Sequence, residues 1–568
     1  MSLLKIKTEF TFIVLLLFAG GFLRFYNLNW DSGHYFHPDE RNIASTVSRI
    51  HFFDNLDPQF FAYGGLTIYL YRVSGDLLVK FTHNPAWVSD WGQINQLGRF
   101  FSALFSTLTI IPLYLLAKKS FNKETALLSA LVFTFAAGSI QTAHFDTTEG
   151  ILALLAVSLA LFSIDFLGKP GIKNIVWAAG ILGLSAAAKT TAASYIIFPL
   201  TAFLFFILSK KKFLQAGFFL LILFILGAVV FTILSPYTFL SWDKFLESMR
   251  YESGVATGSL AVPYTLQFDH TIPYLFQLQN LLWQIGPLAL FIIPGILLTI
   301  WEGVRKRDLK LIVLLSFPLV YFAYVGTWHT KFIRYMMPVI PFFIIFASFF
   351  LYRFAQALHH SAHQVHQLPH LLVYFLRVIS STWKVMIVVL ITLSILWGLA
   401  IFSIYTREQT RISASLWIYS HIREGSIIYN EHWDDGLPLP LKNLDPNLYQ
   451  TESLTIYDAD NGEKLDYYAQ KLSSGDYIIL GSRRLYGTLI NLSEKYPLTS
   501  KYYQLLFSGQ LGYQKVAEFS SYPSLLGWEV NDDLSEETFQ VYDHPKVIIF
   551  KNTSRLTADD YLQILGND

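Results

Sequence analysis

Runs of mostly apolar residues recur along the first 406 positions, each near the roughly 20 residues a helix needs to cross a bilayer. About eleven of them are found, near 9–28, 96–117, 124–143, 149–167, 174–190, 192–208, 213–234, 280–301, 309–327, 333–352 and 384–405. The first, TFIVLLLFAGGFLRFYNL, could pass for the apolar core of a signal peptide. No small-residue cleavage site follows it, Arg24 interrupts its end and many further runs come after, so it reads as a true span. Within 353–383 an amphipathic stretch, LLVYFLRVISSTW, is too short to span and carries Arg377, and it is expected to lie on the cytoplasmic surface. Beyond 406 the pattern changes. Short strand-like runs (SIIYN, DYIIL, KVAEF and the pair in TFQVYDHPKVIIF, with Asp543-His544-Pro545 as a hairpin turn) alternate with helix-like GEKLDYYAQKL, SKYYQLLF and TADDYLQIL.

Charge supplies the orientation. Lys5 and Lys7, Lys118, Lys119 and Lys123, Lys169 and Lys173, Lys210 to Lys212, and Arg305, Lys306, Arg307 and Lys310 all fall on one side if the spans alternate. That side is the cytoplasm by the positive-inside rule. The predicted architecture is a polytopic α-helical membrane protein of about 11 spans with a C-terminal soluble α/β domain. Its membrane module covers 1–406 with external loops 29–95 and 235–279, and its α/β domain, 407–568, is extracytoplasmic at the plasma membrane.

Composition agrees and narrows the chemistry. Of 568 residues 53% are hydrophobic and only 15% charged, against a usual charged share of about 25%. Lys plus Arg, 42, nearly balances Asp plus Glu, 41, which leaves no electrostatic footprint for a nucleic acid. There is no cysteine, so thiol nucleophiles, disulfides and zinc-thiolate sites are excluded. No GxGxxG, P-loop, HExxH or GxSxG pattern stands out, so hydride transfer, nucleotide hydrolysis and serine-hydrolase chemistry have no support.

Ionisable groups near membrane segments are costly and are functional candidates by default. Here they collect on the external side: His37-Pro38-Asp39-Glu40, His144 with Asp146 and Glu149, Lys189 at the end of the fifth span, and Lys331 with Arg334-Tyr335 before the tenth. Each also has a plainer role. Asp146 and Glu149 suit a helix N-cap and first turn. Lys189 can snorkel, and Lys331 or Arg334 can anchor a helix end. Carboxylates beside Arg and Lys suit a phosphorylated lipid: Arg offers a fork for phosphate oxygens and Lys a point charge. A sugar on a lipid phosphate carries its own leaving group. The protein then supplies a base for the incoming hydroxyl, a task for an ionised Asp, and in-line displacement inverts the anomeric centre.

FLRFYNLNW with FHPDE, then HFDTTEGILALLAVSLALF, GLSAAAKTTAASYIIFPL and KFIRYMMPVIPFF, resemble the bacterial relatives of protein O-mannosyltransferases and of the lipid A aminoarabinose transferase, over roughly residues 9–350. The resemblance implies a GT-C fold and a hexosyl or pentosyl transferase using a polyprenyl-phosphate sugar, with membrane lipid around it and an unknown glycan, lipid or protein as acceptor. It places the family's acidic pair on Asp39 and Glu40 as catalytic residues, with the Asp as base or acceptor-binding group. Where protein mannosyltransferases carry a basic residue in the second external loop, this chain has His144, Asp146 and Glu149. Phosphate binding is therefore expected at Lys189, Lys331 and Arg334, with His37 and Tyr335 completing the substrate site.

Other features are assigned less chemistry. His359, His363, His366 and His370 fall near one helical face, but Pro369 interrupts them and no carboxylate is interleaved, so no metal site is expected there. No cofactor is expected either, since nearby cations make a divalent ion dispensable. Asp434-Asp435 in the tail could grip an acceptor sugar or form an ordinary turn. The rival reading is a lipid or glycan transporter or flippase without covalent chemistry. Against it, no internal repeat is found and the charges lie at one face rather than mid-span.

Overall fold

The computed structural model describes residues 2–52, 54–363 and 370–566. Among these, eight helices are long and apolar enough to cross a membrane. The run expected at 124–143 is a bent pair, Lys123–Thr134 and Ala137–Ala143, turning by 49°. Two more runs form the shorter apolar helices Ile172–Ala188 and Leu309–Val325. The bend has a visible cause. A helix that stops inside an apolar bundle leaves carbonyls unsatisfied. Arg24, fully buried, donates to the Phe133 and Thr134 carbonyls at 2.9 Å each and to Ser106 Oγ at 2.8 Å. The arginine that breaks the first apolar run thus caps the broken helix.

The chain divides into two compact units: residues 1–29, 33–260 and 271–402 form one, and 30–32, 261–270 and 403–568 the other. In the first, small residues let helices approach closely. A Cβ built on Gly183 would lie 2.6 Å from the Gly227 carbonyl oxygen, which pins Ile172–Ala188 against Phe213–Leu234. The amphipathic stretch expected on the surface is not a separate element. It opens a continuous 33-residue helix, His370–Phe402, about 50 Å long at 1.5 Å per residue, which also holds the last apolar run. His366 and Pro369 lie outside the described residues.

The segment after the first span folds into helices rather than loop. Pro38–Arg49 starts with His37 as N-cap, Pro38 at its first position, and Asp39 and Glu40 in its first turn, all favoured at a helix N-terminus. Its apolar face (Ile43, Ala44, Val47) packs with Ile68 and Tyr71 of Gly65–Thr82 and Ile94 of Trp91–Leu108. The expected loop 235–279 contributes the helix Trp242–Thr257 to this unit.

The second unit is an α/β sheet. Its strands are β1 (Ile427–Glu431), β2 (Gln450–Leu454), β3 (Tyr477–Leu480), β4 (Tyr513–Phe519), β5 (Ser524–Leu525), β6 (Trp528–Glu529) and β7 (Val547–Asn552). The main sheet has the order β2-β1-β3-β7-β4, with β1 parallel to β2 and β3, and β7 antiparallel to both neighbours. Helices Gly462–Ser474, Pro497–Ser508 and Ala558–Gly566 bury Leu472, Tyr502, Tyr503 and Tyr561 in the same core, and Leu266 joins them from 261–270.

One local expectation fails here. TFQVY is not a strand: Glu537–Phe539 is a short 3-10 turn, and Asp543 and His544 are buried rather than at a hairpin tip. Burial of paired polar groups overrides the β-like composition. At Asp434 the chain makes the ordinary turn, and its carboxylate accepts Arg411 Nη2 at 2.9 Å and Ser482 Oγ at 2.5 Å inside the unit.

Candidate active site

Asp39 stands in the first turn of Pro38–Arg49, where the helix dipole favours an anion. His37 orients that turn by accepting the Asp39 N–H on Nδ1 at 3.2 Å. The Asp39 carboxylate accepts the Tyr63 hydroxyl at 2.6 Å and is ion-paired with Arg334, 295 positions away on the turn Ile333–Met336. Arg334 Nη1 also lies 3.3 Å from His37 Nε2. Burial by itself would raise the Asp39 pKa. Arg334, helped by the Tyr63 hydrogen bond and Lys189, outweighs burial and holds the carboxyl well below the usual range, so it is ionised.

Lys189 completes this group. It caps Ile172–Ala188, and its Nζ lies 5.0 Å from the Tyr63 ring centroid and 6.0 Å from that of Tyr335. Lys189 forms no ion pair among the described residues, although its charge is felt at Asp39. A compact backbone contact brings the two chain segments together. Gly64 donates its N–H to the Ala188 carbonyl at 3.0 Å, and a Cβ on Gly64 would fall 1.9 Å from the Ala187 oxygen. Only glycine allows that approach, and it places the Tyr63 ring between Asp39 and Lys189. Glu252, exposed on Trp242–Thr257, adds an acid within electrostatic reach of Lys189, Asp39 and Arg334.

Glu40, next in sequence, is placed differently. It is fully buried and takes two bonds from Arg99, at 2.8 and 2.6 Å, and the Asp146 N–H at 2.7 Å. Arg99 in turn donates to the Leu28 carbonyl at 2.9 Å. This carboxylate ties three chain segments together, so it is a brace beside the Asp39 site. His144 is a second brace, its ring nitrogens 2.8 Å from the Ile140 carbonyl and 2.9 Å from that of Tyr26. Asp146 is buried against Gly98, whose missing side chain makes the room: a Cβ there would sit 2.0 Å from the carboxyl carbon. Burial first, then the neighbouring Glu40 charge, pushes the Asp146 carboxyl far above its usual range. Asp146 is not the N-cap of the following helix, a position held by Thr148.

Glu149 opens the helix Glu149–Gly168 and is buried, with Oε2 lacking a hydrogen-bond partner among the described residues. It lies within electrostatic reach of Tyr71 and of Tyr63 and Tyr335, the two rings beside Lys189. Lys331 is buried and donates to the His329 carbonyl at 2.8 Å. The Tyr335 ring faces Lys189, while its carbonyl accepts the Tyr321 hydroxyl at 2.8 Å. The structure therefore gathers Asp39, His37, Lys189, Arg334 and Tyr335, with Glu149 at the edge. Glu40, His144 and Asp146 lie behind them in the packing. Tyr63, Arg99 and Glu252 were not foreseen; the run Tyr63-Gly64-Gly65 was the available signal, an aromatic followed by two residues that permit close backbone approach. Among the described residues no three His, Asp or Glu side chains are arranged to hold a metal ion.

Residues 92–237 match the family model described as dolichyl-phosphate-mannose-protein mannosyltransferase. No curated protein sequence matches the chain. Among solved structures, the oligosaccharyltransferase AglB of the archaeon Archaeoglobus fulgidus, in complex with an inhibitory peptide and a dolichol-phosphate, aligns at 14% identity and TM-score 0.55, covering 93% of this chain and 75% of its own. The same organism's oligosaccharyltransferase tethered to an acceptor peptide aligns at 15% identity and TM-score 0.52, covering 94% of this chain and 76% of its own. ArnT from Cupriavidus metallidurans, bound to undecaprenyl phosphate, aligns at 15% identity, covering 94% of this chain and 97% of its own, with a TM-score of 0.46, too low to establish a shared fold. At such identities the likeness to the oligosaccharyltransferases speaks for architecture. The chain has the GT-C fold of membrane glycosyltransferases and resembles the protein mannosyltransferases over residues 92–237.

Proposed function

We propose that this protein is an inverting glycosyltransferase that moves a sugar from a polyprenyl-phosphate carrier to an acceptor hydroxyl at the extracytoplasmic face of the membrane. The observation that carries the reading is the convergence of ionised Asp39 with Arg334 and Lys189, three groups from distant parts of the chain. The matched family description names a dolichyl-phosphate sugar, and the AglB structure holds a dolichol-phosphate, which supports the donor class.

In this mechanism Asp39 takes the proton of the acceptor hydroxyl as its oxygen attacks the anomeric carbon. The bond from that carbon to the phosphate oxygen breaks, and the polyprenyl phosphate leaves. Lys189 and Arg334 meet the charge that grows on it. The resting Asp39–Arg334 pair gives this sequence a trigger. An arriving phosphate competes for the guanidinium fork, and Asp39, relieved of its partner, becomes a stronger base. Tyr63 keeps the carboxylate oriented throughout. Glu40 and Arg99 hold the turn that presents Asp39.

The test is transfer of labelled sugar from a polyprenyl-phosphate donor in membranes. Asp39→Asn is expected to lower the rate by about 10²–10⁴, the usual worth of a general base, while the protein remains folded. Unchanged transfer by the folded variant would overturn the assignment. The mechanism needs no divalent ion, so transfer is expected to survive excess chelator; loss of activity restored by added Mg²⁺ or Mn²⁺ would contradict it.

A further inference from the structure

A small hairpin in the second unit is built unlike a surface hairpin of a soluble domain. β5 and β6 pair Ser524 with Glu529 and Leu525 with Trp528, leaving Leu526-Gly527 as a two-residue turn. Both turn residues have positive φ, 53° and 85°, as a tight hairpin of matching twist requires. Asn or Asp normally takes the first of these positions, and a leucine there is strained. This leucine is 91% exposed, and Trp528 beside it is 81% exposed; Leu534, a few residues on, is 89% exposed. Such bulky apolar groups, held out by a strained turn, form a surface built to be covered.

The root of the hairpin shows what covers it. The Ser524 N–H donates to Ser403 Oγ at 3.1 Å. Arg407 donates to the Tyr522 carbonyl at 2.6 Å and to Ser403 Oγ at 3.0 Å. Ser403 is the residue after Phe402, where the last apolar helix ends. Chain connectivity therefore anchors the hairpin one residue from the end of the last apolar helix. Lys546 Nζ lies 5.2 Å from the Tyr522 ring centroid, so Lys546 and Arg407 both stand at the root of the hairpin. Tryptophan at the headgroup level with basic residues beside it is the pattern of an interfacial anchor.

We propose that the hairpin Ser524–Glu529 is a membrane-surface finger that seats Leu526 and Trp528 in the headgroup–acyl boundary of the bilayer. It fixes the second unit at the surface by a contact independent of the covalent link, and it stands whether or not the glycosyltransferase reading does.

The chain contains no cysteine, so single cysteines can be introduced without background labelling. Leu526→Cys and, separately, Trp528→Cys carry a nitroxide in the full chain, reconstituted in nanodiscs of phosphatidylcholine and phosphatidylglycerol. Glu463→Cys, at an exposed position on Gly462–Ser474 of the same unit, is the reference. The ratio of collisions with oxygen to collisions with a water-soluble nickel chelate is expected to be several-fold higher at 526 and 528 than at 463. Equal ratios at all three positions would overturn the proposal. So would dipolar coupling between labels on two copies with free access of nickel, which would make a second copy the occupant.

Discussion

Asp39 and Glu40 are neighbours in sequence and opposites in environment. One is presented at a helix N-terminus to Arg334 and Tyr63; the other is sealed against Arg99. Removing one partner of a buried pair leaves the other charge uncompensated, at about 3–5 kcal/mol. Glu40→Ala is therefore expected to lower the thermal unfolding midpoint sharply, whereas Asp39→Asn should lose turnover with a much smaller shift. The same environment sets a pH signature. Because the folded Asp39 is held below its ordinary value of about 4, the stability of its pair is present above that value and lost only as pH falls through the lower folded one. In the free enzyme Asp39 is then ionised across the working range. In the proposed mechanism, phosphate at Arg334 would release Asp39 and raise its pKa. The acid limb of kcat is thus expected at higher pH than that of kcat/KM; coincident limbs would argue against the shared arginine. Arg334→Lys keeps charge but loses the fork. At about 1.5–3 kcal/mol for a charged hydrogen bond, donor KM is expected to rise roughly tenfold to a hundredfold.

At the scale of elements, the site depends on how closely two of them meet. The start of Gly65–Thr82 and the end of Ile172–Ala188 touch through Gly64, and the side chains on either side, Tyr63 and Lys189, face one another as a result. Gly64→Ala is expected to force these segments apart, with transfer falling alongside the yield of folded protein, measured by size-exclusion chromatography and a labelled-sugar assay. Full activity in Gly64→Ala would show that the contact does not position the site. Arg24 makes a similar point. Its place at the end of an apolar run marked it as unusual, but its use as a cap for the break after Thr134 depends on a helix more than a hundred positions away.

Across the whole molecule, the second unit carries its own buried electrostatic knot. His544 sits between Asp543, 2.5 Å from Nδ1, and Asp532, 2.7 Å from Nε2, while Tyr405 donates to Asp543 at 2.7 Å. Burial would lower the imidazolium; the two carboxylates override it and hold its pKa up at about 10. The stability it contributes is complete below the unfolded value of about 6.5 and is lost as pH rises through about 10. In selectively labelled protein the ring ¹⁵N shifts of His544 are expected to stay at the doubly protonated position through neutral pH and to move only near pH 10. Titration near the ordinary value would show that the two aspartates do not hold its two ring N–H groups as this geometry requires.

Local pattern alone determined the membrane class, the places of the apolar helices, the α/β character of the tail and the collection of charged groups around Asp39, because each rests on periodicity, length or residue type within a short window. The GT-C resemblance was legible for the same reason, being carried by short motifs. Pattern could not separate Asp39 from Glu40, because two adjacent carboxylates differ only in what the fold sets opposite them. Nor could it show that Asp146 is sealed over Gly98, that Tyr63 bridges to Lys189, or that Asp543 and His544 are core rather than turn. Those outcomes belong to the tertiary structure, since the sign and strength of a buried charge's interactions depend on partners a hundred or more residues away, and nothing local records which partners the chain will bring.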